Sequence, residues 1–352
     1  MTRAAGGAPA GVPALPTMST EAELAYYYRL GHRYRGAGAV VEVGCWLGGS
    51  TVRLAAGIRD SGRPGRVVAI DRFVWQGELY ERVHPAGLAA GADFEPLFRR
   101  LTAPLGDLIE AWRGEVRSFV WDGPPIEILL VDAPKQVPDI LGFIDGFGGS
   151  LLAPGATLAF QDYLHPPAYA LPAVLSLLGD ALRVEDVVLD GHLAGFSVRH
   201  PLVLTAGQRA DADLAAWTPG RAIRTFGDLA GRMPQDAAPR LRLSLAFFLH
   251  DLGDVAAAAS IAGDLAADPS LHWPVEQLAP TSVYWRYPPI FEAFGIAPRE
   301  ITPDMLVKRS IIAWKGGDLE AAIEACRQAL AVDPGHAAAA ERLARLERRR
   351  RA

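Results

Sequence analysis

The sequence predicts an α/β chain: a mostly parallel sheet of seven strands with helices on both faces, followed by an all-α region. Three observations carry this prediction. Short apolar runs alternate with helical patterns from Thr20 to Arg199, the signature of a parallel sheet with crossover helices. The last two runs are separated by Asp190-Gly191, a tight-turn pair, so the sheet should end in an antiparallel hairpin. After about residue 205, strand patterns give way to Ala-rich helical ones.

Each element follows from its residues. Residues 1–18 read as a disordered leader, because Gly, Pro and Ala cannot build a core. Thr20-x-x-Glu23 is a capping-box pattern, and Leu24, Tyr27, Tyr28 and Leu30 continue it as a helix. Ala39–Val43 is an apolar run bounded by glycines, hence a buried strand. Gly48–Ala55 opens a helix, and Arg66–Asp71 is the second strand. Within 74–107 a helix is expected around Phe94–Leu105. Leu108–Glu115, Glu127–Asp132 and Ala156–Asp162 read as the third, fourth and fifth strands. Pro138–Leu152 is the crossover helix between the last two of these. A helix over Pro172–Leu182 precedes the closing strands, Arg183–Leu189 and Ala194–Arg199. The first domain is therefore expected at 19–205, a polar, Gly/Pro-punctuated linker at 206–235, and a helical domain at 236–352.

The helical region contains one internal repeat. The stretch from Gly253 to Pro269 resembles that from Gly317 to Pro334, with an offset of 64–65 residues, near twice a 34-residue period. The second copy looks like a tetratricopeptide repeat, in which small Gly and Ala positions let two antiparallel helices pack closely. A plain Ala-rich helical bundle is the other reading. Residues 341–351 finish as a charged, Arg-rich helix.

Composition narrows the function classes. A chain of 352 residues suggests two domains. Half the residues are apolar and 21% charged, as in ordinary globular proteins. The net charge of −5 argues against a general nucleic-acid binder, which needs clustered positive charge. No apolar run reaches the ~18–20 residues that span a bilayer. Residues 1–19 carry one Arg and no apolar block, so no secretory signal is expected. Cys45 and Cys326 alone build neither a disulfide framework nor a cysteine zinc site. A cytoplasmic location, with no nucleic-acid or membrane partner, is the expectation. Only three lysines, Lys135, Lys308 and Lys315, stand beside 32 arginines.

The candidate chemistry lies at strand ends, where open α/β sheets bind ligands. Glu42-Val-Gly44-Cys-Trp-Leu-Gly48-Gly-Ser50-Thr51 is a glycine-rich turn between a strand and a helix. Such a turn lets a ligand approach the backbone, and the helix start, with Ser50 and Thr51, offers N–H groups to it. The Gly-x-x-x-Gly spacing differs from the dinucleotide Gly-x-Gly-x-x-Gly. Asp71 ends the next strand and can accept hydrogen bonds from both ribose hydroxyls. Asp132-Ala-Pro-Lys135 ends the fourth strand, and Gln161-Asp162 the fifth. Their oxygens can converge on a hard cation, with Asp132, Gln161 and Asp162 as ligands. Lys135, beside such a site and partly desolvated, suits a general base. His165, three residues past Asp162, is a further base candidate on the same rim. Trp46 and Trp75 either line the pocket or belong to the core.

With Val-Val-Ala-Ile-Asp, Ile-Leu-Leu-Val-Asp and Gly-Ala-Thr-Leu-Ala-Phe-Gln-Asp-Tyr following it, the glycine motif resembles class I S-adenosylmethionine-dependent methyltransferases. Its Glu-x-Gly-x-x-x-Gly-x-Ser-Thr form looks most like the bacterial subgroup that includes macrocin-type sugar O-methyltransferases. The resemblance covers about residues 20–200 and implies a Rossmann-like sheet. It implies that Glu42, Gly44 and Gly48 surround the methionine part of the cofactor, that Asp71 holds the ribose, and that Glu115 lies near the adenine. Asp132-x-x-Lys135 is also similar to the Asp-x-x-Lys of cation-dependent catechol and caffeoyl-CoA enzymes, where the Asp binds metal and the Lys sits by the reacting hydroxyl. Those families follow the fifth strand with Asp-Asn, and the sugar enzymes with Asp-Asp. Gln161 replaces a carboxylate here, which weakens a Mg²⁺ site. Either Lys135 works without a cation, or Mg²⁺ binds weakly through Asp132 and Asp162.

The expected function is O-methyl transfer to a hydroxyl of a sugar, glycan or glycosylated small molecule, resting on analogy. The helical domain is expected to bind a protein partner, form a homodimer or cover the substrate mouth. Two competitors stand: a non-catalytic methyltransferase fold serving a helical-repeat adaptor, which Gln161 favours, and a nucleotide-dependent oxidoreductase, which the glycine spacing disfavours.

Overall fold

In the computed structural model, Thr20 caps α1 (Glu21–His32) with the capping box its sequence predicts: the Thr20 hydroxyl accepts the Glu23 N–H, and the Glu23 carboxylate accepts the Thr20 N–H at 2.8 Å. The structure describes residues 11–77, 80, 83–279, 283–296, 302–315 and 318–351. The first ten residues of the expected leader lie outside the described residues. The chain divides into two compact units, Met1–Leu245 and Ala246–Ala352.

The first unit contains every strand the sequence predicts. They are β1 (Ala39–Val43), β2 (Val67–Asp71), β3 (Ile109–Arg113), β4 (Ile126–Val131), β5 (Thr157–Phe160), β6 (Leu182–Val188) and β7 (Leu193–Val198). They form one sheet in the order β3-β2-β1-β4-β5-β7-β6. The first five are parallel, and β7 runs antiparallel between β5 and β6. The hairpin therefore inserts its second strand beside β5 and leaves its first at the edge. Between strands lie α2 (Gly49–Ser61), α3 (Glu95–Thr102), α4 (Val137–Phe147) and α5 (Ala170–Ser176).

Residues 206–235, expected to link domains, hold α6 (Ala206–Asp211) and α7 (Pro219–Gly231) and fall within the first unit.

All of β4 is buried, as a parallel strand covered on both faces should be. Its one charged residue, Glu127, is paired: its carboxylate accepts the Arg35 N–H at 2.7 Å and the Ala37 N–H at 2.6 Å. One core joins Tyr27 and Leu30 of α1, Leu54 and Ile58 of α2, and Val40 and Ile128 of the sheet.

The division between units falls inside α8 (Ala238–Asp251). The second unit continues with α9 (Val255–Leu265), α10 (His272–Leu278), α11 (Val283–Arg286), α12 (Pro288–Ala293), α13 (Pro303–Lys315), α14 (Leu319–Val332) and α15 (Ala337–Arg351). The two copies of the repeat perform one local task. Asp254 caps α9, accepting the Ala257 N–H at 3.1 Å, and Asp318 caps α14, accepting the Ala321 N–H at 2.9 Å. Each Asp also donates its own N–H to a carbonyl five residues earlier, Leu249 or Ala313, at 2.9 Å. Gly317 of the second copy lies outside the described residues. No described helix is long and apolar enough to cross a membrane.

Thr20→Ala removes one half of the capping box and should cost about 1 kcal/mol. At this unit's size that is about 2–4 °C in the thermal midpoint. An unchanged midpoint would contradict the role given to this cap.

Candidate functional site

The strand order reverses at β1, which pairs with β2 on one side and β4 on the other. The crevice outside the carboxyl ends of these strands is where an open α/β sheet takes its ligand. The turn after β1 is built for close approach. Gly44 and Gly48 sit at φ 89° and 87°, a region L side chains avoid. A Cβ on Gly48 would also collide with the Thr102 methyl. The Gly44 N–H donates to Ile70 O at 2.8 Å and the Gly48 N–H to Cys45 O at 2.9 Å, closing the turn.

Three acids meet around it. Glu42, 1% exposed, accepts hydrogen bonds from the Ser50 hydroxyl and, at 2.5 Å, from the Thr51 hydroxyl. Ser50 and Thr51 thus face Glu42. Burial pushes the Glu42 carboxyl up to about 7 against the pull of these hydroxyls, and Asp132 and Asp71 push the same way. Asp71 accepts the Trp46 N–H at 3.1 Å on one oxygen and the Phe73 N–H at 2.9 Å on the other. Burial raises its pKa too, with these N–H groups opposing. The Asp71 bond holds Trp46 at φ 42°, strained for a non-glycine residue. Neither Glu42 nor Asp71 forms an ion pair among the described residues.

The third acid, Asp132, follows β4. Lys135 Nζ lies 2.8 Å from its Oδ1 and also pairs with Asp162 at the end of β5. Asp132, Lys135 and Asp162 are therefore one cluster, with Lys135 half-exposed at its mouth. Its ammonium stands between the two carboxylates, where the sequence reading placed a divalent cation. Gln161 adds only a neutral amide, and no group of three or more His, Cys, Asp or Glu among the described residues is placed to hold a metal ion. This donor set does not fit Mg²⁺.

His165 turns inward. Its ring packs edge-on against His192 at 4.7 Å, and its Nδ1 is buried without a hydrogen-bond partner. Burial, with Lys135 and Arg240 nearby, lowers it to about 4, which keeps it neutral at pH 7. A ring so weakly basic takes a proton poorly there. Glu115 lies just past β3, where the Gly114 N–H reaches Asp71 O at 2.9 Å. Its side chain is exposed and pairs with Arg72 at 3.4 Å.

Two aromatic residues at the site escaped the sequence reading as site residues. Tyr27 of α1 is fully buried and faces Glu23, Asp132 and Glu42. Its spacing marks it only as a core position. Tyr80 packs on Trp46 at 5.3 Å and Trp75 at 5.0 Å, with Asp71 as a charged neighbour. No local pattern around Tyr80 announces that. Trp46 and Trp75 belong to the same buried aromatic cluster as Phe73, Phe94 and Phe98.

The Glu42 shift has a definite sign. A carboxyl whose folded pKa is raised from 4.5 to about 7 holds its proton longer when folded than when unfolded. Its contribution is greatest below pH 4.5 and is lost as pH rises to about 7, by about 3 kcal/mol at most. Glu42→Gln should flatten that fall in denaturant titrations. An equal fall in the variant would contradict the assignment.

Residues 41–163 match the family model described as "Methyltransferase domain". The match runs from β1 through the turn that carries Asp162. The chain is similar to the O-methyltransferase NovP, at 16% identity and TM-score 0.43, over 53% of this chain and 84% of that one. It is also similar to cofactor-bound Rv0187 from MTB, at 20% identity and TM-score 0.37, over the same shares. A third likeness is to coclaurine N-methyltransferase bound to N-methylheliamine and SAH, at 14% identity and TM-score 0.29, over 69% and 68%. At these scores none assigns a substrate. No curated protein matches the chain. Within the first unit's seven-stranded, mostly parallel sheet, residues 41–163 are thus the part that matches a methyltransferase-domain model.

Proposed function

We propose that the first unit is an S-adenosylmethionine-dependent O-methyltransferase acting on a hydroxyl of a sugar, glycan or glycosylated small molecule. One observation carries the cofactor reading: Glu42, Asp71 and Asp132 gather at a glycine turn, and the first two are satisfied by hydroxyl and N–H groups without a cation. An acidic hollow of this kind suits a cationic nucleoside and repels a pyrophosphate, so it favours S-adenosylmethionine over a nicotinamide dinucleotide. Bound there, S-adenosylmethionine supplies an electrophilic methyl on a sulfonium. Gly44 and Gly48 let its methionine part lie on the backbone. The lone pairs that Asp71 keeps beyond its two N–H bonds are free for the ribose hydroxyls, and Glu115 lies on the adenine side.

The O-methyl and sugar assignments rest on the Glu-x-Gly-x-x-x-Gly-x-Ser-Thr motif. The acceptor hydroxyl lies at the mouth, beside Lys135. S-adenosylmethionine held in the hollow would supply the methyl for this oxygen, and the hydroxyl proton would pass into the Lys135–Asp132–Asp162 group. With Lys135 as its ammonium that group carries a net charge of −1, so Lys135 passes one of its own protons to the Asp132 or Asp162 carboxylate and takes the hydroxyl proton in its place. Holding donor and acceptor in line supplies several kcal/mol of the barrier reduction. The proton has a destination without Mg²⁺. The second unit is a tetratricopeptide-like region, for which the paired Asp254 and Asp318 caps speak. It binds a protein partner or a second copy, and the protein works in the cytoplasm.

Asp71→Ala should abolish S-adenosylhomocysteine binding in calorimetry, and Asp71→Asn should weaken it at least tenfold. Wild-type affinity in both would contradict the ribose assignment. Lys135→Ala should lower kcat at least a hundredfold with cofactor affinity unchanged. Full turnover in that variant would remove Lys135 from the chemistry. If the wild type binds no S-adenosylmethionine in the micromolar range, the adaptor reading replaces the enzyme.

A further inference from the structure

Away from the strand-end hollow, the first unit holds a second cavity of about 250 Å³ between α5, β6, β7 and α7. Its walls are apolar, with Leu175, Val184, Phe196 and Met233. Its rim is cationic. Arg183, Arg199 and Arg232 border it, against Asp180. Arg183 is neutralised by Glu185, and Arg199 makes no ion pair among the described residues. Arg232 donates one N–H to Gly179 O at 3.2 Å.

Tyr163 lines the same cavity and is 2% exposed. Its ring packs against Phe196 at 4.9 Å, and Arg232 is its charged neighbour. Its hydroxyl makes no hydrogen bond among the described residues. The hydroxyl opens on the cavity, where a ligand oxygen can meet it, and a few polar groups placed in an apolar wall are what orient a bound ligand. An apolar wall, an unsatisfied hydroxyl and an arginine together specify one ligand chemistry.

We propose that this cavity is a second ligand site, for a small anion with an apolar body, such as a medium-chain or aryl carboxylate. The body lies on Leu175, Val184 and Phe196. The carboxylate meets the Arg232 guanidinium and accepts the Tyr163 hydroxyl. Arg199 at the rim adds to the attraction. The site is separate from the proposed methyl-transfer chemistry and does not depend on it.

The test uses the full chain, with 8-anilinonaphthalene-1-sulfonate as fluorescent probe and octanoate as competitor. The wild type should bind one equivalent of probe, displaced by octanoate and not by octyltrimethylammonium. Leu229→Trp, which fills the cavity from α7, should abolish binding. Arg232→Gln, at an exposed position, and Tyr163→Phe should each weaken octanoate at least fivefold. Arg232→Gln should leave the thermal midpoint and S-adenosylhomocysteine affinity unchanged. If Leu229→Trp fails to fold, Arg232→Gln still decides. Equal octanoate affinity in the wild type and Arg232→Gln, or displacement by the ammonium as readily as by octanoate, overturns the proposal.

Discussion

Parallel pairing of β1 with β2 and β4 brings Glu42, Asp71 and Asp132 to one hollow, and the rest of the site answers to that constraint. Burying a carboxylate costs several kcal/mol unless it is compensated. Arginine compensates a buried acid elsewhere in the first unit, as Arg35 does for Glu127. In the hollow Lys135 pairs with Asp132, but the compensation of the other two acids differs. Glu42 takes two hydroxyls and Asp71 two backbone N–H groups. These donors satisfy the oxygens while leaving the negative potential open to a positively charged ligand.

The backbone around the hollow is fixed by the same bonds. Asp71 ties the turn after β1 to the segment after β2 through Trp46 and Phe73. Behind that segment Phe73, Trp75, Tyr80, Phe94 and Phe98 pack edge to face at 5.0–6.1 Å, apart from a tilted Phe73–Phe98 pair. Such rings are rigid contributors to a wall. The Asp71 carboxylate is therefore both a candidate ligand group and a strut, and its replacement tests both roles together. The asparagine variant keeps an oxygen for one N–H and separates the two.

Much of this was legible before any coordinates. The seven strands, the closing hairpin and the capping box all follow from local chemistry: apolar runs, Asp190-Gly191 and Thr20-x-x-Glu23. Asp132 and Lys135, three residues apart, were readable as a pair, and Asp162 joins them because β4 and β5 are parallel neighbours. Side-chain direction was not readable. The sequence marked the helix start at Ser50 and Thr51 for its N–H groups, and only the fold shows that both hydroxyls turn onto Glu42. It gave Lys135 a cation for a neighbour, whereas the lysine itself spans the carboxylates. Tyr27 and Tyr80 come from segments far from the motifs, and only tertiary packing reveals their place. The insertion of β7 between β5 and β6 is likewise a property of the sheet, not of either strand.

The Glu42 carboxyl, held near 7 by burial, makes the hollow a reporter of its own ligand. A sulfonium entering beside it favours the charged form, so binding should expel a proton. Calorimetric titration of S-adenosylmethionine at pH 7, in buffers of different ionisation enthalpy, measures that proton directly. The account predicts one site per chain, micromolar affinity and net proton release that disappears in Glu42→Gln. Absence of binding, or binding with the same proton count in the wild type and the variant, would contradict it.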